Sequence, residues 1–395
     1  MDHLLYYLIN IIVAASRLAK PLSALWPGLY DEWAPGKKRK ILLVGYNGAR
    51  NTGSDVRVIA IARQLKELFD PDEIKITVMT LDPSTMEGYF DEDVELLKFS
   101  TLFPIDLFRA CSSHHVAILC EGSTLKSTFA NALTLFHCEA AGIMAAQHKP
   151  CIAYGSEVGY MEPFLEKAAA KFCRQTYFIT RTEDSLTALK KLGLDGYAGT
   201  DAAWFYDGAI SEAEADRLLR EQGWDGKKPL LGIAVINPFC WPVRASLTKW
   251  LKGFVTGDFS GQYDKWYFFS DSPERREAFE HYLQEVAAGC PIVAVSMDER
   301  LDNIMKELSW DRKYLFHTTD ESLGEKIDAA LEKSYTDRET IQKQTRRQVA
   351  AYRAEIARMG ELMKRKILSS ERAKECNRDL ISTGRGETGG LLTHN

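Results

Sequence analysis

Residues 41–65 read ILLVGYNGARNTGSDVRVIAIARQL. The apolar run Ile41 to Val44 breaks at Gly45. From Asp55 to Leu68, apolar residues then recur at helical spacing, at Val58, Ile61, Ala62, Leu65 and Leu68. Strand, glycine-rich turn and helix in that order open a doubly wound α/β domain, whose ligands lie beyond the carboxyl ends of parallel strands. The turn is therefore the first place to look for chemistry. Its glycines, Gly45, Gly48 and Gly53, match neither G-x-G-x-x-G nor G-x-x-x-x-G-K-[ST]. Ser54 or Asp55 is expected to cap the helix, and the Asp55 charge there would repel a phosphate. Asn47, Arg50 and Asn51 offer hydrogen bonds to a sugar or a carboxylate. A plain glycine-rich turn is the equal alternative.

The alternation continues. Strands are expected at 74–81, 116–122, 150–159 and 177–183, and helices at 102–110, 129–147, 165–173 and 185–192. Residues 37–205 thus form one Rossmann-like domain. A second set at 206–334 has about three strands and reads as a shortened Rossmann-like domain. A charged helix follows at 335–369, with apolar Ile341, Val349, Ile356 and Met363, and is expected to pack back across the domains. Residues 370–395 are polar and are expected to be disordered.

The chain has 395 residues, 45% of them hydrophobic, enough for two cores. A formal net charge of −5 argues against a nucleic-acid binder. Its eight cysteines show no C-x-x-C spacing and read as small core residues in a reducing, cytoplasmic setting. Residues 1–36 carry an apolar helix, too short to span a membrane comfortably and without the basic start of a signal peptide. Two readings stand for residues 4–26: a helix lying on a membrane surface, which would make the protein peripheral there, or a helix docked on its own domain. The run KKRK at 37–40 either adds attraction to anionic lipid or is a solvated linker.

Three further loops carry charge after a strand. In CEGSTLKSTF (120–129), Glu121 ends a strand, where a charge needs a partner or a solvated site. Gly122, Ser123 and Thr124 then lead into a helix with Lys126 in its first turn. That makes either an anion site or a plain cap with an exposed lysine. In YGSEVGYM (154–161), Glu157 reads as a general acid or base, or as a loop carboxylate. Arg181 and Asp201, each after a strand, are expected to pair structurally. His114, His115 and His137 have no partners at metal spacing, so no metal is expected; His137 reads as a satisfied core histidine.

Six stretches, in order, resemble the polysaccharide pyruvyl transferase family: GYNGARNTGSD, CEGSTLKSTFANALT, KPCIAYGSEVG, FITRTEDSLTALKKLG, GTDAAW and AVSMDERLDNIMKEL, together spanning residues 40–308. The resemblance implies two Rossmann-like domains facing a cleft, similar to GT-B glycosyltransferases. It implies transfer of a pyruvyl group from phosphoenolpyruvate to two hydroxyls of a cell-surface polysaccharide sugar, as a cyclic ketal, with no metal or nucleotide cofactor. Glu121, Glu157 and His281 are then the catalytic candidates. Asn47, Gly48, Asn51, Ser54, Asp55, Gly122, Ser123, Thr124, Lys126 and Arg244 are the substrate-binding ones. The second domain departs from the family's pattern. Asn237 stands where an arginine is usual, Arg244 is the nearest basic residue, and a strand and helix are missing between Val286 and Cys290. A member that has lost catalysis and serves as a glycan-binding or scaffold subunit is the alternative. A glycosyltransferase using a sugar nucleotide is the third reading.

Overall fold

A computed structural model describes residues 2–49, 51–100, 103–127, 130–206, 211–227, 293–296, 305–306, 308–317 and 320–383, with Lys252, Val255 and Thr256. The expected elements at 230–292 and the cysteines at 240 and 290 lie outside the described residues.

The first half is a seven-stranded, all-parallel sheet. Its strands are β1 (Arg39–Asn47), β2 (Ile74–Thr80), β3 (Val94–Lys98), β4 (Val116–Leu119), β5 (Cys151–Ser156), β6 (Thr176–Thr180) and β7 (Gly196–Ala198). The order is β3-β2-β1-β4-β5-β6-β7, a Rossmann-like arrangement with its switch point between β1 and β4. The two edge strands, β3 and β7, were not among the expected strands. Both are short: β3 has one buried residue, Val94, and the three residues of β7 are all half-buried, so neither gives much periodic signal.

Both faces of the sheet are buried, and successive residues alternate between them. Ile41 and Leu43 of β1 join one cluster with Ile118 and Ile152. Leu42 and Val44 join the other with Ala117 and Ala153. That alternation of two apolar faces is why the strands read as continuous apolar runs. One face is covered by α1 (Asp2–Ala15), α4 (Phe103–Ser113), α5 (Asn131–Ala146), α6 (Pro163–Phe172) and α7 (Glu183–Lys191). The other is covered by α3 (Thr52–Leu68) and by the carboxyl-terminal helix. The short α2 (Ala19–Leu22) follows α1, and α8 (Glu212–Glu221) follows the sheet.

Beyond the sheet, β8 (Ala294–Ser296) and β9 (Leu315–His317) pair in parallel, with α9 (Asp311–Tyr314), α10 (Leu323–Thr336) and α11 (Arg338–Thr383). Helix α11 bridges two cores. Its Ile341 and Tyr352 pack with Met305 and Trp310, and its Ile356, Met359, Met363 and Ile367 pack on the sheet. Gln64 of α3 locks the seam, donating to the Ile356 carbonyl at 2.7 Å and accepting from the Tyr154 hydroxyl at 2.5 Å. The helix runs through Thr383, so the expected disorder from residue 370 is corrected for 370–383. Glu371, Arg372, Ala373, Lys374 and Glu375 are good helix formers that extend a helix already nucleated by packing. Residues 384–395 lie outside the described residues.

Cys111, Cys120, Cys138, Cys151 and Cys173 are free and buried, as small core residues. Among the described residues, no helix is long and apolar enough to cross a membrane. The core holds two unusual polar groups on α5. His137 has no hydrogen-bond partner at either ring nitrogen among the described residues. Burial pushes its imidazole down to about 4, against the opposing pull of the Glu121 charge and of the backbone at Thr124 and Leu133. Glu139 is fully buried, and neither carboxyl oxygen has a partner among the described residues. Burial alone pushes that carboxyl well above the usual range.

Two outcomes test this packing. Met359→Ala should lower stability by about 2–4 kcal/mol in urea denaturation, the cost of a core cavity. Glu139 keeps its proton in the folded chain and loses it in the unfolded one above about pH 4.5. Its contribution therefore falls as pH rises from there to the folded value, by about 1.4 kcal/mol per pH unit. Glu139→Gln should remove that slope, so its stability should gain on the wild type's as pH rises from about 4.5, read by urea denaturation.

Candidate functional site

The loops at the carboxyl edge bring together charged side chains far apart in sequence. Glu121 follows β4, Glu157 follows β5, Arg181 follows β6, Asp201 follows β7, and Arg57 lies in the second turn of α3. Arg57 grips Asp201 in a two-pronged pair, Nε to Oδ1 at 2.7 Å and Nη2 to Oδ2. Arg181 donates Nη1 to the same Asp201 at 3.3 Å and Nη2 to Glu157. Lys126 donates to the other Glu157 oxygen at 3.0 Å. Glu121 accepts from the Ser54 hydroxyl at 2.6 Å and from the Gly122 amide at 3.0 Å, with Arg57 at 3.8 Å. Three cations and three carboxylates form one chain: Glu121, Arg57, Asp201, Arg181, Glu157, Lys126.

The chain is almost closed to water. Lys126 and Glu157 keep 2% and 4% of their side-chain surface exposed, and Asp201, the most open, keeps 19%. Burial alone would raise the Asp201 carboxyl. The Arg57 and Arg181 guanidiniums overcome it and hold the group well below the usual carboxylate range. Gly122 makes the packing possible, because a Cβ there would lie 2.1 Å from the Arg57 guanidinium.

The structure corrects two local expectations. Lys126 is not in a helix; residues 121–127 form a loop that bridges Leu125 to Val158, and α5 starts at Asn131. Lys126 also has a carboxylate partner at once, which takes the positive charge an anion would need. Neither Ser54 nor Asp55 caps α3, which begins earlier, with Asn51 at the cap and no side-chain capping bond. Ser54 is turned to Glu121, and Asp55 accepts from the Gly48 amide at 3.2 Å. The first turn of α3 thus serves the site and the preceding loop rather than its own amides.

The remaining candidates fall around this chain. Asn47, buried at the end of β1, donates to the Met79 carbonyl at 2.9 Å. Gly48 has φ +71°, and a Cβ there would meet the Thr80 hydroxyl at 2.0 Å, so the turn demands glycine. Asn51 is exposed, Ser123 is buried, and Thr124 donates to the Glu121 carbonyl at 2.5 Å. Arg50, Arg244, Asn237 and His281 lie outside the described residues. The pairing of Arg181 with Asp201 matches the sequence-based expectation. Arg57 was missed, although one signal was present: a charged residue inside VRVIAIA, beside the stripe of Val58, Ile61 and Leu65.

Among the described residues no group of histidine, cysteine or carboxylate side chains is placed to hold a metal ion. The run KKRK is occupied: Lys37 and Lys40 pair with Asp31 at 3.3 and 2.8 Å, and Lys38 with Asp72 at 3.1 Å. In comparisons with known proteins, no family model matches this chain and no curated protein matches it.

Removing one member of the central pair deprives a buried charge of its main partner, leaving Asp201 only Arg181 at 3.3 Å or Arg57 only Glu121 at 3.8 Å. Arg57→Met should cost about 3–5 kcal/mol in urea denaturation. Arg57→Met with Asp201→Leu should cost less than the sum of the two single changes, because the orphaned charge is gone.

Proposed function

We propose that the chain is a pyruvyl-transferase-like protein whose carboxyl-edge crevice, at β1, β4 and β5, takes a sugar acceptor. One observation carries this reading: Arg57, Lys126 and Arg181 are each matched by Glu121, Glu157 or Asp201. Such a crevice has hydrogen-bonding atoms in fixed positions and no surplus positive charge. Sugar hydroxyls, which donate and accept without net charge, suit it. Phosphoenolpyruvate, a carboxylate and phosphate in one small molecule, needs cations not already neutralised. The donor side is therefore assigned to the second domain, where the family resemblance points to Arg244 and His281.

In the ketal-forming reaction, the donor's methylene carbon takes a proton and two sugar oxygens bond to its neighbouring carbon. Inorganic phosphate leaves. One hydroxyl proton ends on the new methyl group and the other on phosphate. Glu157, held between Lys126 and Arg181, is the carboxylate assigned to orient and deprotonate an acceptor hydroxyl. Glu121 is assigned to the switch point. Residues 4–26 would seat the protein on a membrane surface, near the polysaccharide under assembly.

The closure of the charged chain also favours a second reading, a glycan-binding or scaffold subunit without turnover. A sugar-nucleotide glycosyltransferase is less well supported, because the Gly48 amide that would face a phosphate is taken by Asp55.

The test is phosphate release from phosphoenolpyruvate with a panel of sugar acceptors. Acceptor-dependent release is expected from the wild type, with at least a 100-fold loss in Glu157→Gln. Phosphoenolpyruvate binding, read by calorimetry, should survive Lys126→Met. Glycan binding without phosphate release would replace the transferase by the binding subunit. Saturable binding of a sugar nucleotide would favour the glycosyltransferase. Donor binding lost in Lys126→Met would move the donor to the loop after β4.

A further inference from the structure

Helix α1 is apolar on two opposite sides. Leu5, Tyr6, Ile9, Ile12 and Val13 pack into the sheet's core cluster, and Ile9 is fully buried. Leu4, Tyr7, Leu8 and Ile11, at the spacing of a single helical face, point outward; Tyr7 is 64% and Ile11 67% exposed. The exposed apolar series continues past the helix at Leu18, Leu25 and Trp26. Docking on its own domain therefore accounts for only one side of this helix. A run of large exposed apolar side chains on the other side marks a surface that meets something apolar.

Direction matters here. Asn131, which opens α5, donates to Asp2 at 2.9 Å, and Gly142 near the end of α5 lies against Val13. So α1 runs alongside α5 from the carboxyl edge of the sheet to its amino edge. Where α1 ends, a cavity of about 890 Å³ opens. Arg17, Lys20, Lys171 and Arg174 line it, with Glu32 as its one carboxylate. Lys20 pairs with Glu32 at 2.6 Å, and Lys171 donates to Asn10. Arg17 and Arg174 are exposed at the cavity and belong to no ion pair among the described residues. The cavity is at the opposite end of the sheet from the charged chain described above.

An outward apolar stripe leading to a basic cavity matches one kind of partner. Apolar side chains enter the acyl boundary of a bilayer while cations at their border meet phosphate headgroups. We infer that this cavity takes the headgroup of an anionic glycerophospholipid while the outer face of α1 lies in the membrane surface. This rests on the membrane seat proposed above and is independent of the transferase chemistry. Because α1 lies along the length of α5, the carboxyl-edge crevice would open sideways along the bilayer.

The test is flotation of the full chain with vesicles of phosphatidylcholine alone and of phosphatidylcholine with phosphatidylglycerol. The wild type should float with the anionic vesicles and much less with the neutral ones. Arg17→Gln/Arg174→Gln should weaken anionic binding about 30-fold, from about 1 kcal/mol for each cation at the surface. Arg63→Gln/Arg365→Gln, exposed changes of equal charge on the helices of the opposite face, should leave it near wild type. Ile11→Asp should reduce flotation with both vesicles. Melting curves confirm that these exposed variants fold.

Equal flotation on both vesicles, unchanged by the arginine pair, would overturn the headgroup site and leave the membrane seat. Flotation with neither would overturn both. Displacement by inorganic phosphate, beyond chloride at matched ionic strength, would reassign the cavity to the free anion. A dimer that Ile11→Asp dissociates, with no flotation, would make the face a contact between two copies. Phosphate release, measured in the same preparations, reads the transferase proposal separately.

Discussion

The grip of Arg57 on Asp201 is the contact around which the carboxyl edge is organised. It joins α3 to the loop after β7 across 144 residues of chain. Two parallel bonds hold a planar guanidinium against a planar carboxylate, a geometry lysine cannot supply. Each partner reaches a second carboxylate or cation, Glu121 on one side and Arg181 on the other. Buried charges of this kind add little net stability, since desolvation offsets much of their attraction. Their effect is positional: each loop at the edge is fixed by a neighbour that would be costly to leave unpaired.

That balance shapes the chemistry on offer. Lys126 and Arg181 hold Glu157 from both oxygens, so the carboxylate has one orientation and no freedom to turn. The charge-balanced cluster offers fixed hydrogen-bond geometry rather than net charge. The amino edge is built on the opposite logic. Its cavity gathers four cations against one carboxylate, beside an apolar helix face open to the surroundings. The two ends of one sheet thus differ in charge character, and α1 spans the distance between them.

A parallel sheet must be covered on both faces, and here the ends of the chain contribute cover on each. Helix α1 adds a layer over α5, and α11 fills the face beside α3. The same helix α11 holds Trp204 against Tyr352, ring centroids 5.1 Å apart, and so ties the sheet to the smaller β8–β9 unit. Glu139, buried on α5 without a partner among the described residues, is a local conflict with this packing; it is accommodated by keeping its proton.

Much of this was legible in the residues. The run ILLV, the alternation in IKITVMT and the stripe at Ile341, Val349, Ile356 and Met363 gave strands and helix directly, because periodicity is local and each residue's neighbours lie two to four places away. The same reasoning placed Glu121, Glu157, Arg181 and Asp201 after strands, hence at one edge. It did not reach β3 and β7, whose three to five residues are too few to show a clear period, or Arg57, whose charge has meaning only beside Asp201. It set Lys126 in a helix that begins five residues later, since a hydroxyl pair before an apolar run reads as a cap whether or not a loop intervenes. And it left open whether α1 faces its own core or a membrane, where the folded chain gives that helix two apolar sides. By itself, then, the sequence determined the parallel α/β architecture and which edge carries the charge. Which charge meets which, and which apolar face stays uncovered, only the tertiary structure decided, because those depend on distances through space between residues more than a hundred positions apart.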